Sequence, residues 1–117
     1  MPTIRDLVSA LRQREGVDAA IVLGRDGLLI DSSSAPSIDA DSIAALVPSV
    51  VAAGDELGRH TDRGVVTTAV LEYPAGFAIV STLTSDAILL VLAGSGAEVG
   101  RLLFELRRHR ENIAALV

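Results

Sequence analysis

The chain contains no cysteine, lysine or tryptophan, a single methionine and only three aromatic side chains, Tyr73, Phe77 and Phe104. Without cysteine, disulfides, thiolate metal sites and cysteine nucleophiles are excluded. So few aromatics leave no stacking platform for single-stranded nucleic acid. The net charge is −5 and all the positive charge is arginine. No basic stripe forms, so neither nucleic acid nor an anionic membrane is expected as a partner. No apolar run is long enough to cross a bilayer, and the first 16 residues carry no signal-type core. A cytoplasmic protein without membrane insertion is therefore expected.

What is present is aliphatic. Half of the 117 residues are apolar, so the core is built from Val, Leu, Ile and Ala. A chain of this length forms one domain spanning residues 1–117, burying roughly two-thirds of its unfolded surface.

The stretch Ser37–His60 is the most unusual. As a helix capped by Ser37 or Asp39, it aligns Ile43, Leu46, Val47, Val50, Gly54 and Leu57 on one stripe. Asp41, Ala45, Pro48, Ala52, Asp55 and Arg59 run along another side, and no charge occurs from Ser42 to Gly54. A helix that is small or apolar all round is normally buried all round. Pro48 removes one backbone hydrogen bond and predicts a kink or a fresh helix start.

Around it the pattern predicts a helix over Thr3–Arg14, with Thr3 and Asp6 as a capping box. Strands follow at Ala19–Leu23 and Leu28–Asp31 around the Asp26-Gly27 turn, with Ser32–Ser34 as loop. Three antiparallel strands are predicted at Val65–Tyr73, Phe77–Leu83 and Asp86–Ala93, joined by short connections. Ser95 to Glu98 reads as a second capping box, opening a last helix whose Val99, Leu102, Leu103, Leu106 and Ile113 face inward. The fold class is α+β: a five-stranded antiparallel sheet in the order α-β-β-α-β-β-β-α, one helix on one face and two on the other.

Widths then decide the assembly. Five strands at about 4.8 Å span roughly 24 Å, whereas one helix covers about 10 Å. The middle helix, alone on its face, leaves about half of that face bare, and a second copy of the chain closes the gap. Strand Val65–Tyr73, an edge without a Lys or Pro guard inside it, is open to pairing with its twin.

No motif points to catalysis. Gly94, Gly96 and Gly100 miss the G-x-G-x-x-G spacing by one residue and follow an antiparallel strand, which argues against a dinucleotide loop. Asp39 and Asp41 suit a helix N-terminus better than a metal. Asp55, Glu56, Arg59 and His60 form either a solvated helix end or a partner contact. His60 and His109 lack the neighbours of a triad, and Arg107, Arg108 and Arg110 suit a helix C-terminus. No enzyme activity, cofactor or metal is expected.

Two segments, GVDAAIVLGRDGLLIDSS (Gly16–Ser33) and TTAVLEYPAGFAIVSTLTSDAILLVLAGSGAEVGRL (Thr67–Leu102), flank the small-residue helix. Together they resemble the roadblock / dynein light-chain domain family, most of all bacterial members that act beside small Ras-like GTPases in gliding motility and cell polarity. The resemblance implies a homodimer or heterodimer made by pairing the third strands and packing the second helices into one ten-stranded layer. In the bacterial members the paired second helices carry the GTPase, and some are GTPase-activating proteins without an arginine finger. Carried over by position, the partner surface is Asp41, Ala45, Pro48, Ala52, Asp55 and Arg59. The dimer seam is Ala44 and Val51 with the strand residues Val65, Val66, Thr67, Thr68, Ala69 and Val70. The expected function is a homodimeric regulator of a Ras-like GTPase. Alternatives are a scaffold subunit that assembles with other roadblock-type proteins, and a ligand-sensing module.

Overall fold

Alternation of apolar residues on both faces of the strands dictates a sheet sandwiched by helices, and the computed structural model, which describes residues 2–117, has that arrangement. The elements run α1 (Ile4–Arg12), β1 (Val17–Gly24), β2 (Leu29–Ser34), α2 (Ala40–His60), β3 (Thr68–Tyr73), β4 (Gly76–Thr82), β5 (Ala87–Gly94), α3 (Val99–Arg108) and α4 (Arg110–Ala114). The strands form one antiparallel sheet in the order β2-β1-β5-β4-β3, which leaves β2 and β3 as its edges.

On one face, Val8 and Leu11 of α1, Leu102 and Leu106 of α3 and Ile113 of α4 pack over Val22, Ile79, Leu89 and Val91. On the other, α2 alone lays Ala44, Val47 and Val51 over Ile21, Leu23, Val80, Ile88 and Leu90. Thr3 and Asp6 form the predicted capping box of α1. Asp39 caps α2, accepting from the Ser42 amide at 3.3 Å and the Ser42 hydroxyl at 2.6 Å. The hydroxyl first, then the amide, holds the Asp39 carboxyl below the usual carboxylate range. Gly27, at φ +85°, turns β1 into β2 so close to α2 that a Cβ there would lie 3.4 Å from the Cα of Ala45.

Several expectations are corrected. Ser32, Ser33 and Ser34 belong to β2, paired with Ile21, Ala20 and Ala19, because β1 is long and its backbone groups need partners along that edge. Val65, Val66 and Thr67 precede β3 rather than forming its start. α2 runs unbroken through Pro48, so no second helix begins there. The second capping box does not form: Glu98 is the N-cap of α3 without a side-chain bond. Instead Gly94–Ala97 is a turn held by the Ala97 amide on the Gly94 carbonyl (3.1 Å), and Ala97 is pressed against Gly16. The last helix breaks at His109 into α3 and α4, which turns Arg110 back to the sheet. It donates to the Thr67 carbonyl (3.2 Å) and to Thr82 Oγ1 (3.0 Å), tying α4 to the start of the β3–β4 pair.

The largest correction concerns α2. Ala44 and Val51, placed on the dimer seam by position, are 0% and 2% exposed and belong to the protomer's own core. The stripe facing the sheet is Ala44, Val47, Val51 and Asp55, about a quarter of a turn away from the stripe set by hydrophobicity alone. Val51→Asp would bury an unpaired charge in that core and is expected to cost at least ~3 kcal/mol, whereas Leu46→Asp, on the exposed side, leaves the protomer's fold intact; denaturant titration followed by circular dichroism separates the two. A second expectation concerns pH. Because the Asp39 carboxyl is depressed in the folded state, its capping contribution is full above the unfolded carboxylate value and lost as pH falls through the folded one. Asp39→Asn keeps a good cap and flattens the acid limb of the midpoint-versus-pH curve.

Candidate interaction surface

A helix narrower than its sheet leaves a strip that its own chain cannot cover. α2 starts over the β1–β2 turn, with Pro48 and Ala45 against Gly27, and ends beside Val66, whose side chain a Cβ at Gly54 would strike. This diagonal path covers β1, β5 and much of β4, so the bare strip is narrower than half the face. It is β3, and β3 is bare on both sides. From Val70 to Tyr73 every residue is exposed, including Val70 (40%), Leu71 (36%) and Tyr73 (52%).

The flank of α2 that carries Gly54 looks towards this strip, since Gly54 lies against the segment leading into β3. At 100° per residue, Ile43, Val50 and Gly54 share that flank and Leu46 and Leu57 continue it outward. Leu46 is 69% and Leu57 68% exposed. An apolar trough thus runs between α2 and β3, walled by Leu46, Val50 and Leu57 on one side and Ala69, Leu71 and Tyr73 on the other. Exposed apolar area of this kind marks an interaction site.

The two sheet edges differ in availability. At β2, Arg5 pairs with Asp31 (2.8 Å) and reaches the Ser32 carbonyl, while the Asp31 carboxylate accepts the Ser32 amide (2.8 Å). Those side chains occupy backbone groups that another strand would need. Among the described residues, no side chain bonds to the backbone of Thr68–Tyr73. β3 is the open edge.

Of the residues expected to meet a partner, Asp41, Ala45, Ala52 and Arg59 are exposed along one flank of α2. Pro48 is half-covered by the β1–β2 turn. Asp55 is turned inward, 8% exposed, where it accepts the Val66 amide at 2.7 Å and faces Arg25 at 3.7 Å. It is a structural tie between α2 and the approach to β3, not a free contact. Of the expected seam strand, Val65 and Thr67 are exposed, Val66 is half-buried with its amide taken by Asp55, and Thr68 and Ala69 are half-buried.

Sequence reasoning missed Arg25. It stands between two open cavities, one of about 230 Å³ lined by Pro48, Val51, Ala52, Asp55 and Ile88, the other of about 430 Å³ lined by Val65, Thr67, Leu83, Thr84 and Arg110. Its Nε is buried without a hydrogen-bond partner. No spacing signal marks it, because its position depends on how the β1–β2 turn meets α2. Among the described residues, no cluster of His, Asp or Glu is placed to hold a metal, and no helix is long and apolar enough to cross a membrane. His60 is exposed beside Glu56 at 3.2 Å, far along the chain from His109 at the α3–α4 junction.

Comparisons agree with this shape. The Roadblock/LC7 domain family model matches residues 3–93. The Roadblock/LC7 domain from Streptomyces avermitilis is 31% identical and superposes with a TM-score of 0.84, covering 96% of this chain and 95% of that one. The protein MJ1340 of Methanocaldococcus jannaschii is 28% identical over 109 residues, 91% of this chain and 92% of its own length. The gliding protein MglB from Thermus thermophilus shares the fold at a TM-score of 0.83 and 18% identity, over 96% of this chain and 86% of its own.

Asp55→Ala strands the Val66 amide and the Arg25 guanidinium, and is expected to cost about 1–3 kcal/mol of stability; thermal denaturation of Asp55→Ala beside Asp55→Asn checks this, the amide keeping an acceptor for Val66 and losing less.

Proposed function

The chain belongs to the Roadblock/LC7 domain family, and from that membership we propose that it is a homodimeric regulator that binds a small Ras-like GTPase through its paired α2 helices. One observation carries the reading: the trough between Leu46, Val50 and Leu57 of α2 and the open, two-sidedly bare strand β3. A second copy related by a two-fold axis lays its own α2 into that trough and its own β3 along that edge, so the two apolar strips cover each other.

The seam is then formed by Leu46, Val50 and Leu57 with β3, replacing the Ala44 and Val51 positions that the protomer's core takes up. Burying these side chains contributes roughly 1.5–3 kcal/mol each at full cover. The partner surface is the solvent side of the paired helices, with Asp41, Ala45, Ala52 and Arg59 on it. The resemblance of the sequence to the bacterial members of the family, and the fold it shares with the gliding protein MglB, support this choice of partner. A regulator of this kind works in the cytoplasm by holding the GTPase in one shape of its switch regions, without supplying a catalytic residue.

Light scattering on gel-filtration fractions, with the cognate GTPase loaded with GDP or with a GTP analogue, tests it. The expected result is a complex of one dimer with the GTPase in one nucleotide state. Leu57→Asp is expected to abolish both the dimer and the complex while the protomer stays folded. Absence of a complex in both nucleotide states overturns the GTPase reading and leaves a scaffold role.

A further inference from the structure

We infer that the β3 edge is self-complementary in a single register, with Val70 facing Val70 of the second copy, and that Glu72 of that copy completes an ion pair with Arg110. The inference rests on the dimer proposed above and specifies what selects this chain as its own partner.

Parity limits the choices. A two-fold axis perpendicular to the sheet keeps both α2 helices on one face, so residues directly opposite across the β3 pair must lie on the same face. Thr68, Val70 and Glu72 pair with Ser81, Ile79 and Phe77 of β4, and Ile79 lies in the cluster beneath α1, α3 and α4. Ala69, Leu71 and Tyr73 therefore lie on the α2 face. With Val70 on the axis, Val meets Val, Leu71 meets Ala69, and Glu72 meets Thr68. With Leu71 on the axis, Glu72 is set against Val70. With Glu72 on the axis, two carboxylates face each other, which destabilises the pair. With Ala69 on the axis, Leu71 is set against Thr67 and Glu72 against Val66. Only the first arrangement matches apolar with apolar, large with small and acid with hydroxyl.

The same register explains the charges. Among the described residues, Glu72 has no ion pair within its own protomer. Arg110 arrives from α4 on the face Glu72 shares, with its guanidinium on the Thr67 carbonyl, one residue from Thr68. Its five N–H groups exceed the three bonds it makes to Thr67 and Thr82. The 430 Å³ cavity lined by Arg110, Arg25, Val65 and Thr67 opens beside the start of β3, where the end of an antiparallel second β3, Glu72 and Tyr73, arrives. Two symmetric pairs form per dimer. A heterologous roadblock chain without both charges loses them.

Because the chain has no cysteine, single substitutions report the register directly. Only a residue on the axis meets its own copy within disulfide reach. Val70→Cys is expected to cross-link into a covalent dimer under mild oxidation, and Leu71→Cys is not. Cross-linking by Leu71→Cys instead, or by neither while the wild type is dimeric, overturns the register and leaves the dimer standing. A monomeric wild type overturns the dimer itself. The charges are tested by Glu72→Arg and Arg110→Glu. Each alone is expected to weaken the dimer about tenfold, while an equimolar mixture recovers wild-type affinity because the mixed dimer makes one pair of native sign and one of reversed sign. Arg110 also holds Thr67 and Thr82, so Glu72→Arg with Arg110→Gln serves where Arg110→Glu does not fold, and is expected to dimerise more tightly than Glu72→Arg alone. A mixture no tighter than its components, or no gain in the double variant, overturns the ion pair.

Discussion

One helix has to keep dry a sheet face wider than itself. On the opposite face α1, α3 and α4 share that task and the core closes. On the α2 face the single helix turns Ala44, Val47 and Val51 inward and runs diagonally, which seals β1, β5 and most of β4. What remains is β3. The protein's features follow from this shortage: small residues where α2 presses close to turns and neighbouring segments, Leu46 and Leu57 left exposed on its outer flank, and an edge strand with no guard. The opposite edge, by contrast, is guarded by Arg5 and Asp31.

The element order and the layering were legible in the sequence because they rest on periodicity. Period-two alternation in the strands, the Asp26-Gly27 turn and the Thr3–Asp6 box act locally, and each is present in the structure. That one helix leaves part of its face uncovered was legible too, from widths alone, and the uncovered part is the edge strand β3. The side of α2 that meets the sheet was not. In that helix Ile, Leu and Val occupy one stripe and Ala and Val a neighbouring one, so hydrophobicity favours the bulkier stripe. Close approach to the sheet favours the smaller. Packing distance decided it, and Ala44 and Val51 went inward while Leu46 and Leu57 were left outside. Asp55 was misread for a related reason: a carboxylate near a helix end looks solvated until the Val66 amide, eleven residues on, is brought to it.

The break at His109 shows how a distant need shapes a local choice. A continuous last helix would satisfy its own backbone, yet the chain turns and delivers Arg110 to the carbonyls of Thr67 and Thr82, where the β3–β4 pair begins. Arg14 and Glu105 likewise join α1's exit to α3, and that contact holds the Glu105 carboxyl below its usual range. The Arg110 bonds tie down the approach to β3 at Thr67 without covering the strand.

Hydrogen exchange along Thr68–Tyr73 tests the central claim most directly, read by mass spectrometry on the unmodified protein across a wide range of concentration. If a second copy covers this edge, the outward-facing amides of β3 are protected at high concentration and lose that protection on dilution, while β1 and β5 stay unchanged. Rapid exchange of those amides at every concentration would mean that β3 is bare in solution, and would contradict the account.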